Sequence, residues 1–93
     1  MLKIELAEID YIEGLQDYIK IHLAGKKPVL TLMTIKSVLE KLPTNRCRRI
    51  HRSYIVALDK LQSIRNRKVP LKSGTEQPIN NNYTSFIDDW MKR

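Results

Sequence analysis

The 93-residue chain predicts a mainly β domain with one short inner helix and one C-terminal helix. Three patterns carry that expectation. Tyr18 to Leu23 alternates as a half-buried strand does, and Val29 to Leu32 returns after the turn-forming Gly25-Lys26-Lys27-Pro28, which together read as a hairpin. Ile35, Val38, Leu39 and Leu42 stand at i, i+3, i+4 and i+7 between a capping Thr34 and a terminating Pro43, which predicts a helix over 34–41. Tyr83, Phe86, Ile87, Trp90 and Met91 repeat that spacing, which predicts a second helix over 81–91 with Trp90 largely buried.

The remaining elements follow in order. Leu2, Ile4, Leu6 and Asp10 at period two suggest an opening strand, continued by Ile9, Tyr11 and Ile12. Gly14 is expected to break it, with a polar loop from Gly14 to Asp17. Pro43-Thr44-Asn45 reads as loop. Tyr54-Ile55-Val56, Leu58 and Leu61 to Ile64 have the β-branched and apolar content of strands. Val69-Pro70-Leu71 and Gln77-Pro78-Ile79 predict short strands, and their prolines confine them to edges or strand starts. Any of Asn80, Asn81 and Asn82 can cap the last helix.

A chain of this length forms one domain over 1–93 with a small core. No apolar run is long enough to span a membrane, and Met1-Leu2-Lys3 leads into Glu5, Glu8 and Asp10 rather than a signal-peptide core. The single cysteine, Cys47, cannot form an internal disulfide, which fits a reducing cytoplasm, and its best reading is a small buried hydrophobe. The net charge of +7 is unevenly placed. Residues 41–75 hold ten Lys and Arg against one acid, Asp59, whereas the segments on either side are each slightly acidic. A block of one sign is the usual footprint of a polyanion site.

Within that block lies Arg49-Ile50-His51-Arg52-Ser53-Tyr54-Ile55-Val56. By period two, Ile50, Arg52, Tyr54 and Val56 share one face and His51, Ser53 and Ile55 the other, so neither face is cleanly apolar. Core packing alone does not choose such residues. Catalysis does not account for them either. His51 and Ser53 have no nucleophile elbow and no third partner. Cys47, His51 and His22 make at most half of a structural zinc site. The three glycines lie too far apart for a phosphate-cradling loop. The chain is therefore expected not to be an enzyme and to need no metal or cofactor.

Nucleic-acid binding fits better. Arg46, Arg48, Arg49 and Arg52 lie within seven residues with no acid among them, and guanidinium forks suit phosphate oxygens or the guanine O6 and N7 edge. Ser53 and Tyr54 add short-range donors. The asparagines before the last helix could contact phosphate or adenine, or serve only as a cap.

Five blocks in this order carry a resemblance. They are Tyr11-Ile12-Glu13-Gly14, Asp17-Tyr18-Ile19-Lys20-Ile21, Thr34-Ile35-Lys36-Ser37 with Leu42-Pro43, the Arg49-to-Val56 stretch, and Pro78-Ile79 ahead of Tyr83. From about residue 8 to 90 the chain resembles the LytTR family of bacterial DNA-binding domains. The resemblance implies an elongated stack of small antiparallel sheets that lies across double-stranded DNA and inserts loops into successive major grooves at paired direct repeats in promoters. It also implies a transcription regulator, usually the output domain of a two-component response regulator. No receiver domain is present in the chain, so an excised domain or free-standing member is expected, with a receiver N-terminal to it in a full-length protein and an edge strand missing before Tyr11.

Carried over residue by residue, the DNA-facing positions implied are Gln16 and Asp17 in the first loop, Arg52 and Ser53 in the second, and Asn81 and Asn82 at the last helix. His51 is implied to be structural, and Arg46, Arg48 and Arg49 complete the expected DNA-binding set. An acid at Asp17 and asparagines where other members place an arginine are departures from the pattern, and they bear on base preference. The domain is expected to be monomeric alone and to pair on DNA. A β-rich module whose basic strip meets an acidic protein is the competing reading. A non-specific single-strand or RNA binder is disfavoured, because it needs several exposed aromatics for stacking.

Overall fold

The computed structural model describes residues 5–61, 68–71, 76–79, 87 and 90. Among the described residues the strands are β1 (Ile9–Leu15), β2 (Tyr18–Leu23), β3 (Val29–Leu32), β4 (Cys47–His51), β5 (Tyr54–Ala57), β6 (Lys68–Pro70) and β7 (Glu76–Pro78). One helix, α1 (Ile35–Lys41), stands between β3 and β4. Strands β1 to β5 form an antiparallel sheet in the order β3-β2-β1-β5-β4, and β6 pairs with β7 in a separate ribbon. The mainly β expectation is met, over principal extents of 35 × 26 × 20 Å.

The large sheet is covered on both faces. On one, Ile12, Ile19, Ile21, Cys47 and Ile55 pack with Ile35 and Val38 of α1. On the other, Ile50, Val56, Leu58 and Leu61 pack with Leu71 and Ile79, and Tyr11, Tyr54, Ile87 and Trp90 lie against them. Adjacent residues of β5 thus serve different cores, Ile55 one and Val56 the other, and each is 1% exposed. Full burial of a side chain of this size contributes about 1.5–3 kcal/mol. A polar link joins the two sheets: the Tyr11 hydroxyl hydrogen-bonds the side chain of Gln77, a buried residue of β7.

Helix α1 begins as its sequence predicts. The Thr34 backbone is extended, and its Oγ1 accepts from the Ser37 amide at 3.1 Å. At the other end the Leu42 amide closes the last turn on the Leu39 carbonyl, and Leu42 itself is extended, as a residue before proline prefers.

Several expectations are corrected. Gly14 does not break β1, which continues to Leu15 and turns through Gln16 and Asp17 alone, with Leu15 opposite Tyr18. The glycine is there for a close approach: a Cβ on Gly14 would stand 2.5 Å from Ile35 Cγ1, so any side chain would push α1 away. Leu6–Glu8 and Leu58–Lys60 form single 3-10 turns rather than strand. The Lys60 ammonium ties these two turns together by donating to the Ala7 carbonyl at 2.7 Å. Leu61 makes only a bridge to Leu71, and residues 62–64 of that expected strand lie outside the described residues. Ile87 and Trp90 have helical backbone, and the rest of the helix expected over 81–91 lies outside the described residues. Trp90 packs against the second core and is of intermediate exposure.

Candidate nucleic-acid interface

The segment with no clean alternation, 49–56, is a hairpin. Arg49 faces Ile55 but His51 faces Tyr54, so β4 carries one extra residue, a bulge at Ile50. That extra residue sends Ile50 into the second core with 0% exposure. Arg52 and Ser53 are the turn, and β5 is buried on both faces. A bulge, a two-residue turn and a doubly buried strand in eight residues leave no simple period to read.

The turn is held by its neighbours. The Ser53 amide donates to His51 Nδ1 at 3.2 Å. Arg49 donates through Nε to the His51 carbonyl at 3.2 Å and through Nη2 to the Arg52 carbonyl at 2.5 Å. The Ser53 carbonyl accepts from the Gly14 amide at 2.7 Å, which clasps this turn to the end of β1. The β1–β2 turn beyond Gly14 places Gln16 at φ 66°, in the left-handed region.

Between the two turns and the start of α1 lies an open groove of about 430 Å³. Gln16, Arg52 and Ser53 line it from the turns, Arg49 from β4, and Thr34 and Lys36 from the head of α1, over a floor that includes Gly14 and Ile35. Among the described residues, three cations and no carboxylate line this groove. Amide and hydroxyl donors stand among them, the mixture that holds phosphate oxygens and reads base edges.

Of the residues singled out in the sequence, the groove gathers Gln16, Arg49, Arg52 and Ser53. Asp17 is exposed on the same turn as Gln16, outside that lining. The arginine cluster is dispersed by the strand it sits on. Arg46 precedes β4 and is exposed, and Arg52 follows β4, so strand rise separates them by roughly 20 Å. Arg48 faces Val56, on the sheet face opposite Arg49. Asn81 and Asn82 lie outside the described residues. Lys36 is the groove residue that sequence reasoning did not single out. No sequence pattern marks it, because the close approach of Gly14 and Ile35 that brings the head of α1 to the turns is a tertiary contact.

Elsewhere the sheet carries a row of rings. Tyr11 stacks on His22 with centroids 4.1 Å apart, Tyr54 follows at 6.3 Å from Tyr11, and His51 at 5.5 Å from Tyr54. His22 Nε2 lies 3.3 Å from the Glu13 carboxylate. Burial, then the neighbouring Glu13 charge, pushes the Tyr11 hydroxyl above its ordinary pKa of 10.0, against the opposing hydrogen bond to Gln77. Burial likewise pushes the Cys47 thiol above 9.0. Among the described residues no cluster of His, Cys, Asp and Glu could hold a metal ion, and no helix is long and apolar enough to cross a membrane.

Two clasped hairpin turns on a β-rich scaffold hold cations and neutral donors between them, a set of groups suited to a polyanion. The chain belongs to the LytTr DNA-binding domain family, whose model matches residues 1–92. Its structure is similar to the LytTr DNA-binding domain of a protein from Bacillus cereus described as a methyl-accepting/DNA response regulator. That likeness has a TM-score of 0.82 at 15% identity and covers 99% of this chain and 88% of the other. No curated protein matches the chain in sequence. The protein is a DNA-binding domain.

Proposed function

We propose that the domain is the sequence-reading output of a cytoplasmic transcription regulator of two-component type. It binds double-stranded promoter DNA at paired direct repeats and presents its turns to successive major grooves. A major groove about 12 Å wide admits a two-stranded turn. The single observation that carries this reading is the groove in which Gln16, Lys36, Arg52 and Ser53 converge with no carboxylate among its described lining residues.

Gln16 and Arg52 are the reading residues on the two turns, with Ser53 as a short-range phosphate donor and Asp17 as a partner for a cytosine amine. Arg46, Arg48 and Lys36 supply charge to phosphates. Asn81 and Asn82 form the third contact region. The domain is a single unit, monomeric when free and paired on its site, and the full-length protein carries a receiver domain ahead of it. No cofactor takes part.

Selection from a random pool of duplexes with the purified domain tests this. The expected outcome is enrichment of a short motif repeated in the same orientation about one helical turn apart, 10–10.5 bp. Affinity for the selected duplex should then fall log-linearly with salt, with a slope of roughly −0.9 per phosphate neutralised. No enriched motif, together with equal affinity for any duplex, would refute the sequence-reading role.

A further inference from the structure

We infer that Arg49 is a positioning residue, which shapes the turn that presents Arg52 instead of making the phosphate contact its basic neighbourhood suggests. The inference rests on the reading of Arg52 as a base contact. One planar guanidinium grips two successive carbonyls, those of His51 at 3.2 Å and Arg52 at 2.5 Å. Arg49 is half-buried on β4, whereas Arg52 is exposed. Two further polar groups of the turn are held, the Ser53 amide by His51 Nδ1 and the Ser53 carbonyl by the Gly14 amide.

These bonds have one physical consequence. A two-residue turn whose entering carbonyls, those of His51 and Arg52, are fixed by a charged fork keeps one backbone conformation, so the Cα–Cβ direction of Arg52 is set before DNA arrives. The entropy of ordering that loop is then not lost on binding. A lysine at this position would keep the charge but could not reproduce the fork, because its ammonium is a single point on a flexible stem. Arg49 is thus a place where charge and geometry can be separated by one substitution.

The test compares wild type, Arg49→Lys, Arg52→Ala and the double variant against the selected duplex and its single-base variants, by fluorescence anisotropy at fixed salt. Positioning predicts that Arg49→Lys, with charge unchanged, loses roughly five- to hundred-fold in affinity for the selected duplex, the range of one bidentate base contact. The preference should vanish at the same base pair that Arg52→Ala affects, and the double variant should bind no worse than Arg52→Ala alone. If Arg49→Lys binds like wild type, Arg49 is a phosphate contact and the inference fails. A measurement on the wild-type domain stands apart from how the variants fold: in the free protein the Arg49 Hε nuclear magnetic resonance signal should be resolved and protected from exchange with water. A rapidly exchanging Hε would overturn the inference. A wild-type domain that shows no base preference would refute the proposed function instead, and the Hε result would still report on the brace.

Discussion

The Gly14 amide donates a hydrogen bond to the Ser53 carbonyl over 2.7 Å, joining the end of β1 to the β4–β5 turn across 39 positions of sequence. The same glycine lets Ile35 come down onto β1, because no side chain occupies the space that Ile35 fills. One residue therefore sets the relation among all three elements that border the basic groove. DNA recognition by loops requires such anchoring, since a mobile turn loses affinity to ordering.

Gly14→Ala is expected to cost about 1–3 kcal/mol, the range for forcing an extra methyl into packed surroundings. Removing the obstructing atom should recover part of this, so Gly14→Ala with Ile35→Ala should cost less than the two single changes added together. Urea unfolding of the four proteins gives the coupling, and strict additivity would show that the contact is not the cause. Affinity for the selected duplex should fall in Gly14→Ala even where the protein remains folded.

At Gln16 stability and binding should move in opposite directions. A non-glycine residue at φ 66° is strained, and after the entropic cost of glycine is set against that strain, Gln16→Gly should stabilise the fold by about 0.5–1 kcal/mol. It should also abolish preference at whichever base pair Gln16 reads. Gln16→Asn, which tolerates this backbone region and keeps the amide, should stay close to wild type in stability. A Gln16→Gly protein with unchanged base preferences would remove Gln16 from the reading set.

Charge and reading should separate among the basic residues. Arg46→Ala and Lys36→Ala should each weaken every duplex about equally and reduce the salt slope by about one unit. Arg52→Ala should cost about 1–3 kcal/mol on the preferred duplex and much less on duplexes altered at the base pair it reads. An Arg46→Ala variant with changed base preferences would contradict this division.

The alkaline limb of stability should report one buried and one half-buried group. Tyr11 and Cys47 both have pKa values raised above 10.0 and 9.0, each chiefly by burial. The folded state therefore holds these protons more tightly than the unfolded state. Their contribution is fully present below the ordinary values, declines as pH rises through them, and is lost above the folded values. Denaturant midpoints should fall from about pH 9 upward. Tyr11→Phe should flatten the part above pH 10.0 while lowering stability at neutral pH through loss of the Gln77 hydrogen bond. The Cys47 thiol, 2% exposed, should resist disulfide reagents until the protein is unfolded. A rapid native reaction would show that the first core opens at Cys47.

What the sequence determined by itself was whatever a few neighbouring residues decide. The alternation in Tyr18–Leu23, the Gly25 turn and the Thr34 cap with its apolar stripe are local patterns, and the structure contains each of them. The five spaced blocks identified the family, and the basic middle third indicated a polyanion. Only the tertiary structure decided the rest. Gly14 looked like a strand break because a lone glycine is locally permissive, and its reason was a helix residue 21 positions later. The 49–56 stretch resisted any period because β5 is covered by two cores and β4 bulges to seat Ile50, and a periodic reading assumes one dry face and an unbroken register. Of four arginines close in sequence, Arg49 and Arg52 share the groove, whereas Arg46 and Arg48 were kept out of its lining by the length of β4 and by strand alternation, and Lys36, distant in sequence, joined Arg52 across it. Periodicity reports what a segment buries against an unspecified neighbour. The identity of that neighbour, and so the site, exists only once strands far apart in the chain have paired.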